Sequence, residues 1–333
     1  MFVALLKLLG GISLFIYALS QISKSTESLV VGQASTGISR LVRKPLNGVL
    51  VGTLVAGITQ SSVAVSFITV ELVESGVISF VSAAPVIMGA NIGTTVTAQL
   101  VSLSGGGGFI VGCFALIIGL LLGFCQKNWI KRLGNACLSL GILFVGLNVM
   151  DEGVTGLVEF GWFERLFMLE SPVALFLNGI VLTAVVQSSS AITGITVILA
   201  NKGLVKFSSI VYLVLGSNIG SCFSVIVASH KKSLEARRAS LFNFSFNFLG
   251  AVLFFPVIFA FEEQFSRLFL LNGISVGRAI ANFHTVFNLT CSLLFLPFYR
   301  RITDLICRLT VKSGKSSSKV FNKTFNNKSR RFN

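Results

Sequence analysis

Two short polar clusters interrupt otherwise apolar stretches of the chain, Gln60-Ser61-Ser62 and Gln187-Ser188-Ser189-Ser190. Serine hydroxyls, glutamine amides and the free backbone N–H groups at the start of a helix all donate hydrogen bonds, and the helix dipole favours negative charge at the same place. The side-chain and backbone oxygens of such a segment also suit a hard cation such as sodium. The two clusters therefore predict a binding site for an anion, for a hard cation or for both.

A second motif follows each cluster at the same distance. The segments are GANIGTT (89–95) and GSNIGS (216–221), and each asparagine lies 31 residues after the glutamine of its cluster (91 − 60 and 218 − 187). Further neutral polar contacts are expected from five side chains: Asn91, Thr94, Thr95, Asn218 and Ser221. A single residue of this kind usually serves helix packing, but polar clusters at corresponding breaks of two apolar stretches favour a binding site.

The composition shows which elements must position these residues. Hydrophobic residues make up 53% of the 333-residue chain and charged residues 12%, against about 25% charged residues in soluble domains. This composition excludes a soluble enzyme, a disordered scaffold and a disulfide-stapled domain, and it predicts an all-α polytopic membrane protein. The seven predicted spans are 3–22, 80–101, 109–125, 133–150, 207–228, 241–261 and 283–299. The first of them can also be interpreted as a signal peptide.

The two cluster-bearing stretches, 46–75 and 174–202, are predicted to be re-entrant helical hairpins. About fourteen residues of helix on either side of a cluster reach only partway across a hydrocarbon core about 30 Å thick. Non-helical backbone at that depth is tolerated only where it lines a cavity. We therefore expect the two hairpin tips to meet near the membrane midplane.

The chain resembles itself when it is shifted by 127 residues (187 − 60): besides the polar motifs, Gly52 matches Gly179 and Phe80 matches Phe207. Clusters of Lys and Arg at 40–44, 127–132 and 231–238 and after 300 predict cytoplasmic loops, and the acidic loop from Asp151 to Glu170 predicts an external one. The N-terminus is then external, the C-terminus is cytoplasmic, and the hairpins enter from opposite sides, as in inverted-repeat transporters.

The predicted division is a first repeat over 1–130, a second over 131–307 and a disordered, basic cytoplasmic tail over 308–333. The formal net charge of +15 is concentrated in the tail and in the loops between apolar runs. This placement predicts contact with anionic lipid, or a solvated tail, rather than a nucleic-acid partner. The six cysteines and two histidines show no metal-ligand spacing, so no transition metal is expected.

Basic residues are absent from both predicted hairpins except for Lys202 at the outer end of the second. An anion bound there must be met by dipoles, neutral donors and co-bound cations, because a divalent anion is costly to bring into a low-dielectric site. Glu71 and Glu74 are predicted to form a solvated edge, with a cation or proton site as the alternative. His284 is interpreted as a group bonded to a neighbouring helix, with a substrate or proton role as the alternative.

QSSVAVSFIT (60–69) with GANIGTTVT (89–97), repeated as QSSSAITGIT (187–196) with GSNIGS (216–221), resembles the type II sodium-dependent phosphate cotransporter family in its compact bacterial branch. The resemblance covers residues 3–300 and implies sodium-coupled transport of inorganic phosphate. Val63 stands where the family has a third serine, and Asn243 stands where relatives often have histidine. The short basic tail predicts that the PhoU-like C-terminal domain of some relatives is absent.

Together these features predict a secondary transporter and not an enzyme, with sodium as coupling ion and no other cofactor. The expected phosphate contacts are Gln60, Ser61, Ser62, Asn91, Gln187, Ser188, Ser189 and Asn218. The expected sodium contacts are Gln60, Ser62, Thr94, Thr95, Gln187, Ser189, Ser190 and Ser221. A phosphate exporter and a passive anion channel of the same fold remain alternatives, whereas a membrane-embedded enzyme lacks a positioned acid, base or nucleophile.

Overall fold

The computed structural model describes residues 1–30, 41–103, 108–158, 160 and 171–310, and its regular structure in these ranges is helical. In chain order the α-helices are α1 (Phe2–Val30), α2 (Pro45–Thr59), α3 (Ser62–Glu74), α4 (Phe80–Gly93), α5 (Thr95–Ser102), α6 (Gly108–Gly123), α7 (Asn128–Val158), α8 (Pro172–Val186), α9 (Ser189–Asn201), α10 (Phe207–Ser229), α11 (Leu234–Ala260), α12 (Glu262–Phe269), α13 (Val276–Phe295) and α14 (Tyr299–Thr310).

Six segments of the described chain are long and apolar enough to cross a membrane: Phe2–Ile22, Phe80–Ser102, Asn128–Val158, Phe207–Ser229, Leu234–Ala260 and Val276–Thr310. The remaining predicted span, 109–125, corresponds to α6. This helix has 16 residues, fewer than the roughly 20 that usually span a bilayer. The prediction of an all-α polytopic membrane protein is confirmed.

The predicted spans differ from the helices mainly at their ends. The prediction of 133–150 is too short, because α7 extends over Asn128–Val158, and α13 begins at Val276 rather than at 283. The predicted disordered tail begins too early, because α14 continues to Thr310. Residues 104–107, 161–170 and 311–333, which include most of the glycine run, Glu164, Glu170 and the rest of the tail, lie outside the described residues.

The two hairpins have the same construction, residue for residue. The bounds of α2 and α3 return in α8 and α9 after 127 residues (172 − 45 and 189 − 62). Pro45 and Pro172 occupy the first turns of α2 and α8, where the fixed φ of proline suits the helix and its missing N–H costs nothing. The predicted hairpins at 46–75 and 174–202 are therefore present, with their breaks at the polar clusters.

Each hairpin packs backbone to backbone against the next crossing helix. A Cβ added at Gly89 of α4 would overlap the backbone of Val49 in α2, and one at Gly216 of α10 would overlap the backbone of Phe176 in α8. Only glycine permits such an approach. The glycines of the second motif thus hold each hairpin against its crossing helix.

Ion pairs show that the two hairpins open on opposite faces. Beyond the C-terminal end of α10, Lys232 pairs with Glu71 of hairpin helix α3 at 2.7 Å. Just before the N-terminal end of α10, Lys202 pairs with Asp151 at 3.0 Å. Since α10 has 23 residues and rises about 1.5 Å per residue, these pairs lie roughly 35 Å apart along the helix axis. The repeats are therefore inverted relative to each other.

Candidate functional site

The hairpin tips are tight reversals centred on one glutamine each. Gln60 and Gln187 both have a φ of 56°, and among the described residues they are the only non-glycine residues with positive φ. A side chain in this left-handed region costs energy. Because the same cost recurs at both tips, where glycine would avoid it, the glutamine side chains are candidates for a function at these positions.

The serine after each glutamine caps the second helix of its hairpin. Ser61 Oγ accepts a hydrogen bond from Ala64 N at 3.1 Å, and Ser188 Oγ accepts one from Ala191 N at 3.2 Å. These caps explain why α3 and α9 begin directly after the break. A hydroxyl that accepts through its oxygen still has its O–H available to donate to an anion.

Both tips line one cavity of about 380 Å³, within the size range of small-molecule sites, roughly 300–1,000 Å³. The lining residues are Ile16, Leu19, Ser20, Gln60, Ser61, Ser62, Val63, Ala64, Thr94, Gln187, Ser188, Ser189 and Ser190. None of these side chains carries a charge. The structure therefore brings the two polar clusters together around a neutral cavity.

Four of the predicted site residues do not line this cavity: Asn91, Thr95, Asn218 and Ser221. Each is buried and bonded within the helical core. Asn91 Nδ2 donates to Ile87 O, Thr95 Oγ1 donates to Ile92 O, and Ser221 Oγ donates to Asn218 O. Asn218 Oδ1 lies 3.1 Å from His284 Nε2 of α13. In this conformation these four side chains stabilise the helices that hold the tips.

The two tips differ in their surroundings. Gln60 is 6% exposed, and its Oε1 accepts a hydrogen bond from Thr97 Oγ1 at 2.8 Å. Ser62 N donates to Thr94 Oγ1 at 3.3 Å. Gln187 is exposed, and its side chain has no hydrogen-bond partner in the described part of the chain. The first tip is thus docked, by these hydrogen bonds, on Thr94 and Thr97 of the crossing helix that follows the hairpin. The second tip is open to the cavity.

Sequence reasoning did not select Thr97 or the three α1 residues of the cavity wall, Ile16, Leu19 and Ser20. Thr97 is a threonine in an apolar helix and carries no local signal of a role. Its position two residues after the second motif, with Ser224 at the matching place of the other repeat, is the only sequence clue. The α1 residues reach the cavity through tertiary packing, which periodicity does not indicate.

The charged residues of the hairpins lie at their outer ends. Glu74 accepts hydrogen bonds from the backbone N–H (2.8 Å) and the hydroxyl of Ser233, and these bonds lower the pKa of its carboxyl group. Glu71 and Lys202 form the ion pairs described above. His284 is bonded to Asn218 on a neighbouring helix. These positions agree with a solvated edge for the two glutamates and with a helix-bonded histidine.

The fold and the cavity together define an inverted-repeat membrane protein in which two re-entrant hairpins meet, an arrangement used by secondary transporters. The chain belongs to the Na+/Pi-cotransporter family, whose sequence profile matches residues 14–152 and 163–288. Each matched segment contains one polar cluster and one glycine–asparagine motif. The family resemblance is confirmed.

Among its relatives, the "Uncharacterized protein YqeW" of Bacillus subtilis is 30% identical over 302 residues. The match covers 88% of this chain and 95% of YqeW. The "Putative inorganic phosphate export protein YjbB" of Escherichia coli is 23% identical over 88% of this chain and 53% of that protein. The rat sodium-dependent phosphate transport protein 2A is 37% identical over 99 residues, 29% of this chain and 15% of that protein. No solved structure matches the chain.

Proposed function

We propose that the protein is a secondary transporter that moves inorganic phosphate across the inner membrane together with sodium. The observation that carries the proposal is the neutral cavity that both hairpin tips line. Membership of the Na+/Pi-cotransporter family supports phosphate as the substrate and sodium as the coupling ion. The names of YjbB and of the rat protein point to the same substrate.

In this proposal phosphate is held by the tips. The amides of Gln60 and Gln187 and the hydroxyls of Ser61, Ser62, Ser188 and Ser189 donate to its oxygens. The N-terminal ends of α3 and α9 add positive dipole ends, which favour an anion. Asn91 and Asn218 contribute only if the helices rearrange, because both are buried in the core here.

The absence of charge from the cavity wall gives a physical reason for coupling. A divalent anion loses much of its hydration when it enters a low-dielectric site, and neutral donors compensate for only part of that cost. Sodium ions bound beside it supply the missing positive charge. Candidate ligands are oxygens of Gln60, Ser62, Thr94, Thr95, Gln187, Ser189, Ser190 and Ser221, of which Thr95 and Ser221 lie outside the present cavity.

Rigid-body movement of a hairpin-bearing unit is the expected route of alternating access. Under the positive-inside rule, the basic loops support a cytoplasmic C-terminus and an external N-terminus. Hairpin 1 (α2 and α3) then opens to the cytoplasm, and hairpin 2 (α8 and α9) opens to the exterior.

The test is radiolabelled phosphate flux in proteoliposomes, with sodium, potassium and proton gradients imposed separately. We expect phosphate to accumulate against its gradient only when a sodium gradient is imposed. Flux that equilibrates phosphate without accumulation, equally in all three conditions, would support a passive anion channel and contradict the proposal. Liposomes without protein and liposomes with the Ser62→Ala Ser189→Ala variant are the controls.

Export is the second candidate, because the printed name of YjbB refers to phosphate export. Coupled transporters run in either direction according to the gradients, so the proteoliposome experiment is repeated with phosphate and sodium loaded inside. Net direction in the cell is then measured as phosphate content in a strain that lacks the gene. A higher content than in the parent strain identifies an exporter, and a lower content identifies an importer.

A further inference from the structure

The docked state of hairpin 1 depends on two hydroxyls of the helix segment that follows it. Thr97 Oγ1 donates to Gln60 Oε1 at 2.8 Å and lies 3.3 Å from Gln60 O. Thr94 Oγ1 accepts from Ser62 N at 3.3 Å. Thr97 is only 1% exposed, so the glutamine amide is held by a partner that excludes water. The tip is attached both at the glutamine and at the first residue of α3.

Repeat 2 has hydroxyls at both equivalent positions, since a shift of 127 residues takes Thr94 to Ser221 and Thr97 to Ser224. Neither is bonded to its tip. Ser221 Oγ donates to Asn218 O of its own helix at 2.7 Å. Ser224 is half-buried, and no hydrogen bond of its side chain is present in the described residues. The second tip therefore has a matching pair of docking groups that are unused.

The crossing helices that carry these hydroxyls are similar in the two repeats. The helix of repeat 1 crosses over Phe80–Ser102 with only a local irregularity at Thr94, whose backbone stays helical (φ −63°, ψ −18°) and whose N–H donates to Ala90 O at 3.1 Å. The helix of repeat 2, α10, runs from Phe207 to Ser229. The two repeats therefore differ in the bonds of these hydroxyls to the tip, which are present for Thr94 and Thr97 and not for Ser221 and Ser224.

We propose that Ser224 is the positioning counterpart of Thr97. When the cavity faces the opposite side of the membrane, the Ser224 hydroxyl donates to the side chain of Gln187, and Gln60 leaves Thr97. The inference rests on the proposed transport function, because inverted repeats exchange their environments as a transporter changes direction. Thr97 and Ser224 do not line the cavity; they act by holding the two glutamines.

Cysteine pairs test the docking directly. The pair Gln60→Cys with Thr97→Cys reports the contact seen here, and Gln187→Cys with Ser224→Cys reports the proposed one. In membranes treated with a mild oxidant or a short thiol cross-linker, mass spectrometry of the linked peptides identifies each pair apart from the native cysteines. We expect both pairs to link, and in a variant carrying all four cysteines we expect one link or the other in each molecule.

Single substitutions should shift this balance in opposite directions. Loss of one neutral hydrogen bond changes an equilibrium by about fivefold. When Thr97→Val is added to the variant with Gln187→Cys and Ser224→Cys, cross-linking of that cysteine pair should rise by about this factor. When Ser224→Ala is added to the variant with Gln60→Cys and Thr97→Cys, cross-linking of that pair should rise by about the same factor. Thr69→Val and Thr196→Val are matched controls, because these two threonines are also equivalent after 127 residues but bond only to Val65 O and Thr193 O in their own helices.

Transport adds a readout that a merely structural role would not produce. Ser224→Ala should lower the maximal rate of phosphate flux by about fivefold with little change in KM, and Ser224→Thr should restore it. Failure of the 187/224 pair to link under any ionic condition, or linkage of both pairs in the same molecule, would overturn the inference and leave the flux experiment unaffected. Absence of sodium-driven phosphate flux would instead refute the proposed function, while cross-linking still reports the docking.

Discussion

The left-handed glutamines offer a way to separate backbone strain from ligand binding. Gln187 has φ 56° and ψ 21°, its side chain is exposed, and it has no hydrogen-bond partner among the described residues. Gln187→Gly and Gln187→Ala both remove the amide, but only alanine retains the Cβ that makes this conformation costly. The two variants therefore differ in backbone strain and share the loss of the amide.

The expected magnitudes follow from this geometry. A left-handed conformation costs an L-residue about 1–2 kcal/mol, which a glycine at this position does not incur. Part of this advantage of glycine is offset because glycine has more freedom in the unfolded chain. We expect Gln187→Gly to be more stable than Gln187→Ala by about 1 kcal/mol. A hydrogen bond to a charged ligand contributes about 1.5–3 kcal/mol, so both variants should bind phosphate about tenfold to a hundredfold more weakly.

Gln60 provides the contrast within the same molecule. Its Oε1 accepts a hydrogen bond from the buried Thr97 hydroxyl, so Gln60→Gly loses that contact while it relieves the strain. Gln60→Gly should still be more stable than Gln60→Ala, but both variants should be less stable than the wild type.

The assay combines thermal unfolding in detergent with phosphate flux in proteoliposomes for all four variants. Equal unfolding temperatures of Gln187→Gly and Gln187→Ala would refute the left-handed tip. Flux at the wild-type level in both variants would show that the Gln187 amide does not bind phosphate.

Three further predictions concern packing, capping and surface charge. Gly216→Ala should lower the unfolding temperature, because its Cβ overlaps the backbone of α8 and overpacking costs about 1–3 kcal/mol; Gly10→Ala, which has open space around it, is the control and should not. Ser188→Ala and Ser171→Ala each remove an N-cap and should each cost about 1 kcal/mol of stability, but only Ser188→Ala should also impair phosphate flux. Lys202→Gln breaks a partly exposed ion pair and should change stability by less than about 1 kcal/mol without altering the KM for phosphate.

The hairpins could be predicted from the sequence because their signals are local. A polar cluster at the centre of an apolar stretch marks the break, proline marks the start of α2 and α8, and a serine after each glutamine marks the next helix. The repetition after 127 residues doubles the evidence for each feature. The predicted bounds of the hairpins consequently lie within two residues of those observed.

The contacts of the second motif were harder to predict, because they depend on tertiary packing. The spacing of Asn218 from the polar cluster suggested a ligand, but the amide faces His284 on α13, which lies 66 residues away in the chain. The role of Thr97 and the difference between the two tips are likewise invisible in a sequence that gives both repeats similar residues. A repeat in the sequence shows what the halves share and not which state each half adopts.

The central claim is that the two neutral tips hold phosphate only together with sodium. The most direct measurement is equilibrium binding of radiolabelled phosphate to the purified protein, in sodium and in potassium at equal ionic strength. We predict saturable binding in sodium, little in potassium, and loss of binding in the Ser62→Ala Ser189→Ala variant. Equal binding in the two salts, or unchanged binding by that variant, would contradict the account.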